Sequence, residues 1–230
     1  MAVQMEESME NLQNAALKKN FNKEVLPEPH FGYHFMKRAM DIICSLTAII
    51  VLSPILILTA AIVALTSPGK SIYTQIRVGK NGKFFTMYKF RSMYVNTDQV
   101  LEELAKKNEM DGPVFKMKHD PRITPVGRFI RKFSIDEFPQ LFNILAGDMS
   151  IVGPRPALPK EVAQYTGRDS ERLLVKPGLT CIWQVSGRSD VDFKEWMELD
   201  RQYIKTRSII LDIVLILKTI PAVLLGKGAC

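Results

Sequence analysis

Cysteine is scarce in this sequence of 230 residues: Cys44, Cys181 and Cys230 are the only three, widely spaced and without a Cys-x-x-Cys pair. An odd, scattered set of thiols excludes a disulfide scaffold and a zinc ribbon, and fits reduced thiols in a cytosolic setting. Biased composition is missing too. With 47% apolar and 24% charged residues, the chain is neither disordered nor collagen-like nor of low complexity. Nor is there an excess of acid: 31 Lys and Arg stand against 24 Asp and Glu, a formal charge of +7 and a pI near 9.3. That balance admits three kinds of partner, namely nucleic acid, an anionic membrane surface or a phosphorylated substrate. A mass of 26.1 kDa suffices for one sizeable core, or a domain with an accessory segment, and not comfortably for two domains.

What the sequence does have is one long apolar run. From Ile42 to Leu65 there are 24 residues without a charge, more than the roughly 20 that cross a bilayer core. A signal peptide is excluded by that length and by the polar, partly acidic residues in front. The chain is therefore expected to be membrane-bound. Lys37 and Arg38 precede the run and Lys70, Arg77, Lys80 and Lys83 follow it, which pulls both ends to the cytoplasmic side. Ser53-Pro54 falls in the middle. Proline removes a backbone donor and clashes with the carbonyl four residues back, so a kink is expected, with Ser53 able to satisfy a freed carbonyl. Two readings follow: a bent, re-entrant helix that enters and leaves on one face, or a spanning helix with a tolerated proline. Upstream, residues 1–31 read as a polar, partly helical arm without chemistry. His30 and His34 have no third ligand nearby, and with Phe31, Tyr33 and Phe35 they read as an interfacial cluster.

Beyond the run, Ile72 to Val78 and Phe84 to Phe90 are strand-like and joined around Gly79-Lys80-Asn81-Gly82, a hairpin signal. On the second strand a period of two puts Phe85, Met87, Lys89 and Arg91 on one face, either a solvated edge or a partly covered anion site. The stretch from Asn96 to Met117 reads as an insertion or lid. Thr124-Pro125 then resembles an N-cap followed by proline at the first helical position, opening a helix on which Arg128, Arg131 and Lys132 share a face. From Lys70 to Glu137 there are 14 basic and 8 acidic residues, so almost all of the net charge lies here.

Ser134 and Glu137 fit a capping box. Pro139 argues instead for a helix that begins at Asp136, because a proline in its first turn costs little there. The Asp136 carboxylate would then face unpaired amides and the positive end of the helix dipole, which keeps it ionised and attracts phosphate nearby. Adjacent acids in so basic a region are either ion-paired structure or chemistry. Downstream, in Gly153-Pro154-Arg155-Pro156, an arginine flanked by prolines is held near an extended backbone and loses little entropy as a clamp on phosphate or carboxylate.

Taken together, KFRSM (Lys89 to Met93), VGRFIRKFSIDEFPQLFNIL (Val126 to Leu145), GDMSIVGPRP (Gly147 to Pro156) and KPGLTCIWQVSGR (Lys176 to Arg188) resemble the bacterial monotopic phosphoglycosyl transferases, which are polyprenyl-phosphate sugar-phosphate transferases. The likeness covers about residues 32 to 227 and is similar to the short, catalytic-only form. It implies an α+β fold: a small mixed helix and strand cytoplasmic domain, an N-terminal re-entrant membrane helix broken at Ser53-Pro54, and interfacial amphipathic helices. The expected segments are the arm 1–31, a membrane region 32–69, a catalytic domain 70–207 and an interfacial helix 208–230. The last, carrying Asp212, Lys218 and Pro221, is a poor spanning candidate.

The resemblance also implies a two-step displacement at the cytoplasmic face of the bacterial inner membrane. Asp136 would attack the β-phosphate of a UDP-sugar, and Glu137 would assist polyprenyl phosphate in taking the phosphosugar. Lys89, Arg91, Arg128, Arg131 and Arg155 would supply positive charge, and Mg2+ fits Asp136 or Glu137. Gln184 and Arg188 contact nucleotide or sugar, unless Trp183 is core and Gly187 a turn. The expected partners are the UDP-sugar, polyprenyl phosphate and the bilayer, with homodimer formation left open. Nucleic acid is not expected, since the basic region interleaves cations with acids and holds no nucleic-acid motif. A basic lipid-binding scaffold explains the charge but not the acidic pair.

Overall fold

A computed structural model of the chain describes residues 31–95, 113–114, 117, 119–165, 167–186 and 191–224. The N-terminal arm with His30, most of the Asn96 to Met117 insertion and Arg188 lie outside them. Helix α1 (Tyr33–Thr66) is followed by the antiparallel hairpin β1 (Ile72–Val78) and β2 (Phe84–Phe90), paired from Ile72 opposite Phe90 to Val78 opposite Phe84. Both strands form where the alternating sequence puts them. The turn closes through a short 3-10 segment, Lys80–Gly82, in which Asn81 takes the left-handed conformation (φ 57°) that asparagine tolerates.

Helices α2 (Pro125–Lys132) and α3 (Gln140–Ala146) come next, then strand β3 (Ser150–Val152), helix α4 (Pro159–Ala163) and a 3-10 segment over Gly167–Leu174. Strand β4 (Gly178–Thr180) pairs in parallel with β3, and α5 (Ile182–Ser186), α6 (Phe193–Thr206) and α7 (Ile209–Leu224) follow among the described residues. The fold is thus a mixture of helices and strands, as the α+β expectation has it. Thr124 caps α2 as its sequence suggests, accepting from Gly127 N at 2.8 Å with Pro125 at the first helical position.

The core lies between the hairpin and the later helices. Phe85 and Met87 of β2 meet Leu141 and Ile144 of α3, Met149, Ile151 and Val152, Tyr203 and Ile204 of α6, and Leu215 of α7. Phe85 and Met87 are buried, so that face of β2 is covered. Asn143 joins α3 to the hairpin by pairing with the second edge of β2: its Nδ2 donates to Thr86 O at 2.7 Å and its Oδ1 accepts from Tyr88 N at 3.1 Å. A side-chain amide here stands in for a third strand, so the turn preceding α3 is held beside Lys89.

Helix α1 is 34 residues long and, by length and composition, apolar enough to cross a membrane. Its sidedness is inverted relative to a soluble helix. The buried residues are Tyr33, Asp41, Ser45, Thr59 and Val63, whereas Ile43, Ile50, Val51, Ile57 and Leu65 are exposed. Such a helix turns its polar groups to the protein and its apolar surface outward, which water does not favour.

The polar contacts hold it at both ends. Near the start, Asp41 Oδ1 accepts from Ser150 Oγ and Ile151 N, both at 2.9 Å, and Lys37 pairs with buried Asp212 of α7 at 2.7 Å. Arg38 donates to Ile144 O and Leu145 O at the C-terminal end of α3. Near the end, Arg91 Nη2 donates to Ser67 O and Ser71 Oγ donates to Ala60 O, each at 2.7 Å. Midway, α-helix runs through Pro54, and Ser53 Oγ donates at 2.8 Å to Ile50 O, the carbonyl that proline leaves without an amide. The serine does what its position predicts.

If Asp41 clamps α1 to β3, Asp41→Ala leaves the Ser150 hydroxyl and the Ile151 amide buried without an acceptor, at a cost of about 3 kcal/mol. Asp41→Asn, which keeps one acceptor, costs less than half of that. Equilibrium unfolding in detergent measures both, and equal losses for the two variants would rule out the clamp.

Candidate active site

Asp136 and Glu137 sit in a 3-10 turn over Ile135–Glu137 rather than at the start of one long helix. Pro139 is the reason. It has no amide with which to reach Ile135, so the chain closes shorter bonds instead: Glu137 N to Ser134 O and Phe138 N to Ile135 O, both 3.1 Å. The α-helix starts only after Pro139, at Gln140. Ser134 makes no side-chain cap and has a left-handed backbone (φ 53°), so the capping box does not form. The tight turn sets both carboxyls beside the hairpin.

Asp136 is 7% exposed, and the Glu137 side chain keeps 27% of its surface. Lys89 of β2 reaches Glu137 Oε1 at 2.7 Å, both as ion pair and as hydrogen bond. The two acids diverge accordingly. Burial pushes the Asp136 carboxyl up to about 6; the charge of Lys89 opposes this, and neighbouring Glu137 adds to it. An amide at the turn pulls the other way but is outweighed, so the dipole argument for a fully ionised Asp136 gives the wrong balance. Burial also raises Glu137, yet the Lys89 charge and hydrogen bond, with Arg155 and Arg131 behind them, overcome it and hold that carboxyl below its usual range. One acid is ionised and paired, and its neighbour titrates within reach of neutral pH.

The expected cations divide into two groups. Lys89, Arg131 and Arg155 act on the dyad by charge. Arg155 lies in the proline-flanked loop after β3, at 3.7 Å from Glu161 and with its guanidinium 5.5 Å from the centre of the Trp196 ring. Arg128 is exposed on α2. Arg91 turns away from the dyad: it is buried, and its Nη2 binds Ser67 O, Ser67 Oγ and Val63 O at the end of α1. Gln184 on α5 accepts from Cys181 Sγ at 3.4 Å, and neighbouring Trp183 packs on Trp196 with ring centres 4.6 Å apart.

No cluster of three or more His, Cys, Asp or Glu suited to a metal is found among the described residues. What the site does offer is two adjacent carboxylates. That matches Mg2+, which takes one or two carboxylates and completes its shell from water and substrate phosphate.

Beside the dyad opens an apolar cavity of about 570 Å³. Pro139 and Phe142, just past the acids, form one wall, Tyr88 and Phe90 of β2 another, and Ile49, Ser53, Leu56 and Ile57 of α1 a third. The site therefore joins a charged turn to a greasy groove. Sequence reasoning did not find Asn143, which docks α3, or Arg77 and Arg172, which meet the Arg155 loop. A readable signal exists for Arg77, a lone cation in the apolar strand end Ile76-Arg77-Val78.

A family model described as bacterial sugar transferase matches residues 32–226. The chain is 46% identical over 202 residues to an undecaprenyl-phosphate galactose phosphotransferase of Salmonella typhimurium, covering 85% of this chain and 42% of the relative. It is 51% identical over 162 residues to the galactosyl transferase CpsE of Streptococcus agalactiae, 70% of this chain and 36% of the relative. With the exopolysaccharide production protein ExoY of Sinorhizobium fredii it shares 42% identity over 197 residues, 84% of this chain and 87% of that one. The chain thus spans less than half of the length of the first two and most of the third.

The raised carboxyl carries a stability prediction. A group whose folded pKa exceeds its unfolded value costs stability above the folded pKa and nothing below the unfolded one. For Asp136, between 3.8 and about 6, the cost above pH 6 is on the order of 3 kcal/mol. Asp136→Asn should therefore raise Tm at pH 7.5, with the gain shrinking toward zero at pH 4. A Tm that falls equally at both pH values would contradict the burial of this charge.

Proposed function

The chain belongs to the bacterial sugar transferase family, and on that premise we propose that it transfers a sugar-1-phosphate from a UDP-sugar to polyprenyl phosphate. UMP is released, and the product is a polyprenyl-diphosphate sugar. The work is done at the cytoplasmic face of the bacterial inner membrane, as the first membrane step of exopolysaccharide, O-antigen or other glycoconjugate assembly. The observation that carries this reading is the buried Asp136 beside the Lys89-paired Glu137, on a turn that continues into Pro139 and Phe142 in the wall of an apolar groove. The galactose in the names of the Salmonella typhimurium and Streptococcus agalactiae relatives makes UDP-galactose the first donor to try.

In the first step an oxygen of the Asp136 carboxylate bonds to the β-phosphorus of the donor. The bond from that phosphorus to the bridging oxygen breaks, and UMP departs with the electron pair. In the second step a phosphate oxygen of the acceptor bonds to the same phosphorus, the aspartyl–phosphorus bond breaks and the carboxylate is restored. Lys89, Arg131 and Arg155 neutralise the phosphoryl oxygens throughout. Glu137, kept ionised by Lys89, assists the incoming acceptor. Asp136 and Glu137 would hold Mg2+, whose chemistry when bound is to screen the charge of the diphosphate.

The acceptor's hydrocarbon chain lies along the groove between α1 and β2, which begins at Pro139 and Phe142 next to the nucleophile. Helix α1 is re-entrant on this reading. Two findings support that topology: polar contacts from one folded body grip both helix ends, through Asp41 and Arg38 at the start and through Arg91 at the finish, and Ser53 relieves the proline at the midpoint. A straight helix of 34 residues would measure about 51 Å, well beyond a hydrocarbon core of about 30 Å.

Intact-protein mass spectrometry after incubation with UDP-galactose and related donors tests the nucleophile. The expected mass gain is one phosphosugar, mapped to Asp136 and absent in Asp136→Asn, whose membrane binding is unchanged; mapping to another residue overturns the assignment. Because the ionised carboxylate attacks and burial sets its pKa at about 6, adduct formation in a single turnover should fall as pH drops through 6. A profile flat from pH 5 to 8 would contradict this. Turnover should also be lost in EDTA and restored by Mg2+.

A further inference from the structure

The loop that carries Arg155 cannot hold itself in place. Pro154 and Pro156 have no amide N–H, so its anchoring falls to its carbonyls. Four in succession are taken, each by a donor from elsewhere in the fold. Pro154 O accepts from Gly178 N at 2.8 Å, and Ala157 O accepts from Val78 N at 2.9 Å. Between them, Arg155 O accepts from Arg172 Nη2 at 3.0 Å and Pro156 O from Arg77 Nη1 at 2.9 Å. The two inner donors are the guanidinium groups of Arg172 and Arg77, residues only 5% and 6% exposed.

Burying a guanidinium is costly unless it is fully paired. Arg172 is paired, with Asp200 at 2.8 Å and the Tyr165 hydroxyl at 2.7 Å. Among the described residues Arg77 forms no such ion pair. Its Nη2 goes to Gln75 Oε1 at 2.6 Å, its Nε has no partner among the described residues, and burial, reinforced by the charge of Arg155, pushes its pKa down to about 9. An apolar residue at the end of β1 would serve packing better. What the arginine provides is a charged donor on a carbonyl of the Arg155 loop.

We propose that Arg77 and Arg172 are positioning residues for the transfer reaction: by gripping the Arg155 and Pro156 carbonyls they fix the loop and aim the Arg155 guanidinium at the Asp136–Glu137 dyad. The inference rests on the reading of Arg155 as a clamp on the donor phosphates. Other contacts of Arg155 fit it. Its side chain is steered by Glu161 and by the Trp196 ring, and that ring also lies 5.2 Å from the Arg172 guanidinium. The loop is thus held through its backbone by two arginines and through its side chain by an indole and a carboxylate. The charge that results lowers Glu137.

A double-mutant cycle on the detergent-solubilised full chain tests the proposal, with UMP release measured against UDP-galactose concentration. Arg77→Gln should lower kcat/KM for the donor on the order of 10- to 100-fold, the scale of a clamp displaced by about 1 Å. Arg77→Lys, which keeps a cationic donor, should recover most of it. Gln75→Met, at a partly exposed position, should lose a few-fold and serves the cycle if Arg77→Gln does not fold. In an Arg155→Ala background both changes should cost less than about twofold more, because the group they position is gone. KM for polyprenyl phosphate should not move. Losses that multiply in the Arg155→Ala background, or an Arg77→Lys enzyme as impaired as Arg77→Gln, overturn the positioning role alone. An Arg155→Ala enzyme as active as the parent overturns the clamp reading and the proposal with it.

Discussion

One ammonium group organises the site. Lys89 projects from β2 onto Glu137, and this contact decides which of two adjacent carboxyls carries the settled charge and which is left to titrate. The pair forms because Asn143 fastens α3 to the free edge of the same strand, one residue away at Tyr88, while the 3-10 turn forced by Pro139 swings both acids toward it. Remove the amide bridge and the turn has no fixed distance to the lysine. Remove the lysine and a buried acid lies beside a half-buried one with only the arginines to balance them. The electrostatics of the dyad are therefore a property of the hairpin, set by a strand register rather than by the acidic segment itself.

The second organising constraint is the inverted helix. A soluble protein would bury Ile43, Ile50 and Ile57 and expose Asp41; here the reverse holds. The polar groups of α1 reach β3, α3 and α7, so directional bonds fasten the helix alongside a partly buried apolar seam that runs from Cys44 to Val63. That frees its outer surface for lipid and leaves room for the groove on its inner side. Arg91 belongs to this system: a cation that sequence logic assigns to phosphate is held on the last turn of α1, where it answers the negative end of the helix.

Much of this was legible because it is local. The hairpin strands follow from alternation around Asn81-Gly82, the α2 cap from Thr124-Pro125, and the relief of Pro54 from the neighbouring Ser53. The acid pair and the proline-flanked arginine stand out by composition alone. What stayed hidden depends on which segments meet in space. A period of two sets Arg91 beside Lys89, yet its side chain reaches Ser67 and Val63 at the end of α1 instead. The Asp136 pKa was misjudged because a helix start suggests ionisation, whereas burial, which no single sequence reports, outweighs it. Arg77 read merely as a flanking positive charge, since its partner, Pro156 O, lies 79 positions away.

Unlike solubility of the two proposed substrates gives the arrangement its logic. On the proposed displacement a diphosphate arrives from water and a long hydrocarbon from the bilayer, and a covalent intermediate means that they need not be bound together. The nucleophile must then face both media, which excludes a site deep in a core and one out on a loop tip. A 3-10 turn between a charged hairpin and an apolar groove meets that requirement at little cost in structure. Its carboxyl is dry enough to be raised toward neutrality, and the charges of Lys89 and Arg131 keep that rise from going further. Burial alone would make Asp136 a poor anion, and the cations alone would make it a weak base. The two together leave a carboxylate that is available near neutral pH and little hydrated, the state that the proposed attack on phosphorus requires.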